Sequence, residues 1–330
     1  MTGGLFSALL FFLGREIVVK IVIALGGNAL IRPGDKGTIQ EQEKRVASAV
    51  KGIMPLIEKG HQVVITHGNG PQAGARLIRN EMAETEVYPD PLVICVADTQ
   101  GSIGYMIEQA LINNLLKKEI RPKVATLVTQ IEVNQNDPAF QKPTKPVGPF
   151  YTQQKAIKKM KQGWIMAEDA GRGFRRLVPS PRPLRLVSPK AIEALINANF
   201  TVITGGGGGI PVFRNEKGVL VGIDAVIDKD FASVMIAKTI EADMLVILTG
   251  VEKVALNFRS ENPTWVDTMT VRQAKAWLTQ GEFPAGSMGP KITAAADFVE
   301  SKRGRTVLIT SEDKLTEAIE GKTGTRVVSG

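Results

Sequence analysis

Apolar and polar positions change period along this chain, and the changes mark out its elements. Residues 18–25, VVKIVIAL, are almost continuously apolar and rich in β-branched side chains, which predicts a strand buried on both faces. Between Glu41 and Glu58, Val46, Ala49, Val50, Ile53, Met54 and Ile57 fall at i, i+3, i+4, i+7, i+8 and i+11. That is one face of a helix, and Gly60 ends it. A strand at 62–66, a helix from the loop HGNGPQ to about Ala83, a helix from about Thr99 to Lys118 and a strand at 123–129 follow. The β-α-β-α-α-β order predicts a parallel sheet.

The rhythm then breaks. From Asn134 to Pro189 prolines, glycines and charges are dense, and one helical pattern near 152–162 interrupts them. So long a stretch points to an inserted flap or lid rather than a structureless loop. Beyond it the alternation returns: helix 189–198, strand 200–204, a hairpin at 211–221, helix 228–239 and strand 244–249. Helices near 270–279 and 290–302, strand 306–310, helix 312–319 and strand 325–328 close the chain. The pattern reads as two α/β halves sharing one continuous sheet, with an inserted lobe.

Three of these strands end in glycines: IALGGNAL at 23–30, VVITHGNGPQ at 63–72 and VITGGGGGIP at 202–211. Open α/β sheets collect ligands at the carboxyl ends of their strands. Glycines there let backbone N–H groups approach an anion, and helix N-termini add positive partial charge. The repeated grammar therefore points to a phosphate or carboxylate site. Neither common nucleotide fingerprint is present, because the run Gly205 to Gly209 leads into Ile-Pro-Val and not into GK[ST] or a helix.

Composition narrows the class of ligand. The 330 residues are 43% apolar, enough for a large core, and carry a net charge of +8. Basic residues are dispersed and aromatics make up only 5%, so small anions fit better than nucleic acid. His61 and His67 are the only histidines, which excludes a multi-histidine metal site but leaves a hard cation held by a nucleotide's phosphates. The single cysteine, Cys95, fits a reducing, cytoplasmic compartment. LFSALLFFL at 5–13 lacks a basic flank and is too short to span a bilayer. Residues 1–17 are expected to be an extension upstream of a start at Val18 or Val19, and no membrane is expected.

Three lysines stand out by context. Lys145 lies between prolines in PTKPVGP, Lys229 and Asp230 stand at an expected helix start in VIDKD, and Lys291 follows a proline in GSMGPK. Phosphoryl transfer is catalysed mainly by positive charge placed around the transferring oxygens, and Asp230 is suited to orient two of the lysines.

With these residues in view, the sequence from about Val18 to its end resembles carbamate kinase, of the amino acid kinase superfamily. The blocks that carry the resemblance are ALGGNAL, THGNGPQ, NDPAFQKPTKPVGPFY, GRGFRRLVPSP, GGGGIPV, AVIDKD, GSMGPK and EGKTGT. It implies a three-layer α/β/α sandwich with a mostly parallel central sheet and a small lobe inserted at about 132–188. An N-terminal carbamate-binding half, 18–199, and a C-terminal nucleotide-binding half, 200–330, are expected. The implied reaction is reversible phosphoryl transfer between ATP and carbamate with Mg²⁺, in a cytoplasmic homodimer of arginine metabolism. Lys145, Lys229, Asp230 and Lys291 would be catalytic. Gly26, Gly27, Asn28, Gly68, Asn69 and Gly70 would line the carbamyl site, and Gly208, Gly209, Val251, Met288 and Gly289 would hold the nucleotide. No residue is assigned to a metal. Two alternatives share these features: another small carboxylate or phosphate acceptor, and a non-catalytic sensor of nucleotide or carbamoyl phosphate. One departure from the family pattern is Gly250, where an acidic residue commonly follows the threonine.

Overall fold

The computed structural model describes residues 11–12, 15–16, 18–27, 30–31, 35–168, 173–258, 260–284 and 286–330. Most of the expected extension 1–17 and the expected site residue Asn28 lie outside them. Eight strands form the central sheet, in the order Thr268–Thr270, Thr325–Val328, Thr306–Ser311, Met244–Thr249, Lys20–Leu25, Gln62–His67, Thr201–Ile203 and Val124–Thr126. Every neighbouring pair is parallel except Thr306–Ser311 with Thr325–Val328. Strand Lys20–Leu25 pairs with Gln62–His67 on one side and Met244–Thr249 on the other, so the two α/β halves meet inside one sheet. Ile21 to Leu25 and Leu245 to Leu248 are all buried, the continuous apolar run that a sheet covered on both faces requires.

Helix Ile39–Glu58 starts at a capping box: Glu41 N donates to Thr38 Oγ1 at 3.3 Å, and Thr38 N donates to Glu41 Oε2 at 2.9 Å. Its Val46, Val50, Ile53 and Met54 pack against Ile21, Ile23, Ile103 and Ile107 on one face of the sheet. The other face is covered by helices Lys229–Thr239 and Met288–Glu300, through Val234, Ile236, Ile292 and Phe298. Apolar helices on both faces give the three layers expected.

Several boundaries depart from the sequence pattern for identifiable reasons. The helix expected from Thr99 begins at Leu92, after Pro91, with no side-chain cap of its own. One of its free N–H groups, that of Val93, donates to Asp224 Oδ1 at 3.0 Å, from 131 positions away in sequence. Of the strand expected at 123–129 only Val124–Thr126 forms, in the central sheet, and beyond it Gln130–Val133 joins a second sheet with Pro183–Leu186, Ile210–Arg214 and Leu220–Gly222. Segment 134–189 contains more than its one expected helix. Lys145–Tyr151, Phe174–Val178 and Met166–Glu168 form an antiparallel sheet beside helix Gln153–Lys161. This lobe has its own small core of Tyr151, Ala156 and Met166 with Trp164 and Phe174.

Candidate functional site

Asp228 caps the helix Lys229–Thr239, accepting a hydrogen bond on Oδ1 from Asp230 N at 2.9 Å. The cap sets Lys229 and Asp230 in the first turn, at the carboxyl edge of the central sheet. Asp230 is 3% exposed, and its two oxygens face two ammonium groups: Lys291 Nζ at 2.8 Å on Oδ2 and Lys229 Nζ at 3.2 Å on Oδ1. Lys291 reaches it from the first turn of helix Met288–Glu300. That helix begins two residues before the expected start, so Pro290 sits at its third position. It is tolerated there, because first-turn N–H groups have no intrahelical acceptor.

Lys145, the first residue of its strand in the lobe, donates to the other carboxylate, Asp228 Oδ2, at 2.8 Å. The three expected lysines are therefore joined by two carboxylates, Asp228 and Asp230. Asp228 was not among the residues singled out from sequence, although an aspartate just before an expected helix start is the usual cap signal.

The electrostatics follow from burial. Desolvation alone would push the Asp230 carboxyl up, but Lys229 and then Lys291 outweigh it and hold the group well below the ordinary carboxylate range. Burial lowers the Lys229 ammonium, Asp230 opposes the shift and Lys291 adds to it. Lys229 Nζ is buried and makes no aligned hydrogen bond, only its ion pair, so its N–H donors are not fully satisfied within the chain. This is the kind of buried donor that an anion would satisfy.

The glycine loops surround the same point. Gly26 lies where a Cβ would fall 2.7 Å from Leu248 O, a backbone approach that requires glycine, whereas Gly27 faces open space. The Gly68 position is 3.7 Å from Gly27 N and 3.9 Å from the Lys229 side chain, measured from an added Cβ. Gly70 opens helix Gly70–Ala83, with Asn69 before it. Asn69 is buried and donates through Nδ2 to Thr99 Oγ1 at 2.8 Å, so its amide braces the loop. His67, buried at the end of its strand, donates from Nδ1 to Gly68 O at 3.0 Å, the tautomer that this acceptor selects. Burial pushes the imidazole down to about 4, with the Gly68 carbonyl opposing and Lys229 adding to the shift.

A cleft of about 560 Å³ opens beside Gly26, Gly27, Lys229 and Lys291. Its walls are largely apolar, with Leu248, Val251, Ala255, Phe258, Phe283 and Met288 among them, and Gly250 is part of its lining. Val251 and Met288, two of the residues expected at a nucleotide, line this cleft. Gly289 is buried just behind Met288, and its N–H donates to Pro284 O at 3.0 Å. Gly208 and Gly209, also expected at the nucleotide, lie instead buried and away from this cleft. A Cβ on Gly208 would fall 2.2 Å from Ile227 O, and one on Gly209 would fall 2.5 Å from Ile131. The five-glycine run is glycine for close packing: added Cβ atoms at Gly206 and Gly207 would strike the His67 ring at 2.4 Å and the Asn69 amide at 2.2 Å. The run clasps the HGNG loop from behind.

Comparison with known proteins agrees with this geometry. The family model described as the amino acid kinase family matches residues 19–311. A carbamate kinase-like protein, YqeA, of Escherichia coli K12 is 50% identical over 93% of this chain and 98% of its own length. The carbamate kinase of Thermococcus kodakarensis is 49% identical over 94% of this chain and 99% of its own. Carbamate kinase from Giardia lamblia, solved bound to AMP-PNP, superposes with a TM-score of 0.89 at 42% identity, covering 95% of this chain and 99% of that one. On these matches the chain belongs to the amino acid kinase family and, within it, to the group of carbamate kinases and carbamate kinase-like proteins.

Proposed function

We propose that this chain catalyses the reversible transfer of a phosphoryl group between ATP and carbamate, giving ADP and carbamoyl phosphate. The observation that carries the proposal is the meeting of Lys229 and Lys291 on one buried carboxylate, between the Gly26–Gly27 and Gly68 loops and an apolar cleft of nucleotide size. A carbamate oxygen attacks the γ-phosphorus, an O–P bond forms, and the bond to the β,γ-bridging oxygen breaks to release ADP. Carbamate is already an anionic nucleophile, so no general base is required. Catalysis rests on positioning and on charge around the phosphoryl in flight. Lys229 and Lys291 supply that charge, Asp230 holds both in place, and Lys145 contacts the carbamate or phosphoryl group from the lobe. Backbone N–H groups of Gly26, Gly27 and the Gly68–Gly70 loop line the acceptor site. Val251 and Met288 border the nucleotide, and Gly289 supports Met288.

Mg²⁺ would be held by the nucleotide's phosphates and would offset their negative charge. Among the described residues no group of three or more His, Cys, Asp or Glu could hold a metal ion. Asp228 and Asp230 are engaged by lysines, which fits a cation held by phosphate oxygens. In this reading 18–199 form the carbamate-binding half, with the lobe at about 132–188, and 200–330 form the nucleotide-binding half. The enzyme works as a cytoplasmic homodimer. No helix among the described residues is long and apolar enough to cross a membrane.

The test is coupled ATP formation from MgADP and carbamoyl phosphate, with acetyl phosphate as the competing donor. Rapid turnover with a strong preference for carbamoyl phosphate is expected. ATP binding without turnover would favour a sensor, and preference for acetyl phosphate would change the acceptor.

A further inference from the structure

We propose that Asp228 is a positioning residue that ties the lobe's Lys145 to the start of the helix carrying Lys229 and Asp230. This rests on the reaction proposed above. Lys145 and Asp228 are 83 positions apart, on different parts of the fold, and the 2.8 Å ion pair joins them. The two oxygens of Asp228 have different tasks: Oδ2 accepts from Lys145 Nζ, and Oδ1 accepts from Asp230 N at 2.9 Å. One rigid carboxylate therefore fixes the lobe's cation relative to the turn that aims the other charged groups.

The tie matters because a lysine on a flexible four-carbon stem is otherwise poorly placed. Lys145 is 35% exposed on its side chain, whereas Asp228 is 19% exposed. Pro143 and Pro146 stiffen the backbone around Lys145 but leave its stem free. A second contact brings the lobe to the same turn, since Val226 N donates to Pro179 O at 2.9 Å and Val226 packs with Val147 and Val178. The backbone is thus held whether or not Asp228 is charged, and the ion pair acts on the position of Nζ. The ammonium has three donors, so it can keep Asp228 and still reach a substrate oxygen.

A double-mutant cycle of Asp228→Asn with Lys145→Met tests the tie. Asparagine remains a good helix cap, but with its oxygen kept at the cap it turns an NH₂ donor toward the lysine in place of Oδ2. The expected result is a kcat for ATP formation lowered about ten-fold, with KM for ADP within about two-fold of the parent and Tm little changed. In the Lys145→Met background Asp228→Asn should add no further loss. Parent-like kcat in Asp228→Asn overturns the proposal, as does a rise in kcat, which would mean that Asp228 restrains Lys145 instead of placing it. An equal further loss in the Lys145→Met background also overturns it, because Asp228 would then act independently. Asp228→Ser, a second capping residue, repeats the test should the asparagine variant fold poorly. If the parent itself fails to turn over carbamoyl phosphate, the reaction reading falls. The tie is then judged at Nζ itself, by amine-acylation mass spectrometry: faster labelling of Lys145 in Asp228→Asn supports it, and an unchanged rate overturns it.

Discussion

Asp230 shows how much of this site depends on single groups. Its carboxylate is buried against two ammonium groups, and either lysine taken away leaves a charge short of a partner. Lys291→Met keeps most of the apolar stem and removes only the charge. Steady-state assays of this variant are expected to show kcat lower by roughly 10²-fold or more, the usual scale for one lost transition-state donor. KM for ADP should move far less, since the apolar cleft walls remain. Turnover equal to the parent would take Lys291 out of the mechanism. His67 makes the matching prediction for pH. It is buried neutral with its pKa near 4, below the ordinary value of 6.5, so the unfolded chain binds the proton more readily. The stability that His67 contributes as a neutral group is complete above pH 6.5 and is lost as pH falls towards 4, by roughly 3 kcal/mol in all. Melting curves of the parent and His67→Gln should therefore converge between pH 7 and pH 4.5. A parallel offset across that range would show that the imidazole takes up its proton at the same pH in the folded as in the unfolded chain.

At the scale of elements, strands and helices with clean periods were legible and their partners were not. Strand 244–249 and strand 325–328 stand where the apolar runs placed them. Helix Leu92–Lys117 did not, because it has no side-chain cap of its own and the Val93 N–H looks to Asp224 across the fold, leaving no local signal to read. The lobe's strands were hidden for another reason. Lys145–Tyr151 contains two prolines and the small lobe has few positions to bury, so neither period 2 nor apolar density marks it. The same division holds in the site. Lys145, Lys229 and Lys291 were singled out by local turn chemistry, but that Lys145 pairs with Asp228 and Lys291 with Asp230 is tertiary information. The glycine run carries an ambiguous signal, because close packing and anion binding call for the same residue, and the packing at Gly206 to Gly209 is tertiary information.

The lobe's stability rests on a compact network. Tyr151 Oη donates to Glu81 Oε2 at 2.7 Å and Lys159 pairs with Glu81 at 2.9 Å, both reaching across to helix Gly70–Ala83. Trp164 sits at its centre, edge-on to Tyr151, with Lys159 and Arg176 over its ring. Trp164→Ala removes the largest ring of a core this small. Hydrogen exchange should then quicken in 145–151 and 174–178 while the central sheet keeps its protection, as for a unit that opens by itself. Equal loss of protection in Lys20–Leu25 would instead mean that lobe and sheet unfold together.

For the whole molecule, the shared sheet sets the expectation. Six residues of Lys20–Leu25 pair with Gln62–His67, and four of them pair again with Met244–Thr249. A strand so placed cannot leave one half without exposing the buried edge of the other, so the sheet should melt as one cooperative unit. The tryptophans report on different parts of that event: Trp164 lies in the lobe, and Trp265 and Trp277 lie beyond residue 200. Far-UV circular dichroism and the fluorescence of a Trp164→Phe variant should therefore give one coincident transition, the ordinary signature of two-state loss. AMP-PNP with Mg²⁺ at about 100 times its Kd should move that whole transition, adding about 2.7 kcal/mol to stability. Most of the cleft's lining comes from strand Met244–Thr249 onward, with Gly26, Gly27 and Lys229 beside it, and the sheet carries the stabilisation into strand Gln62–His67 and the HGNG loop after it. If nucleotide raised the fluorescence transition and left part of the circular dichroism transition behind, the two halves would be separate folding units, and the junction at Lys20–Leu25 would be weaker than its pairing implies.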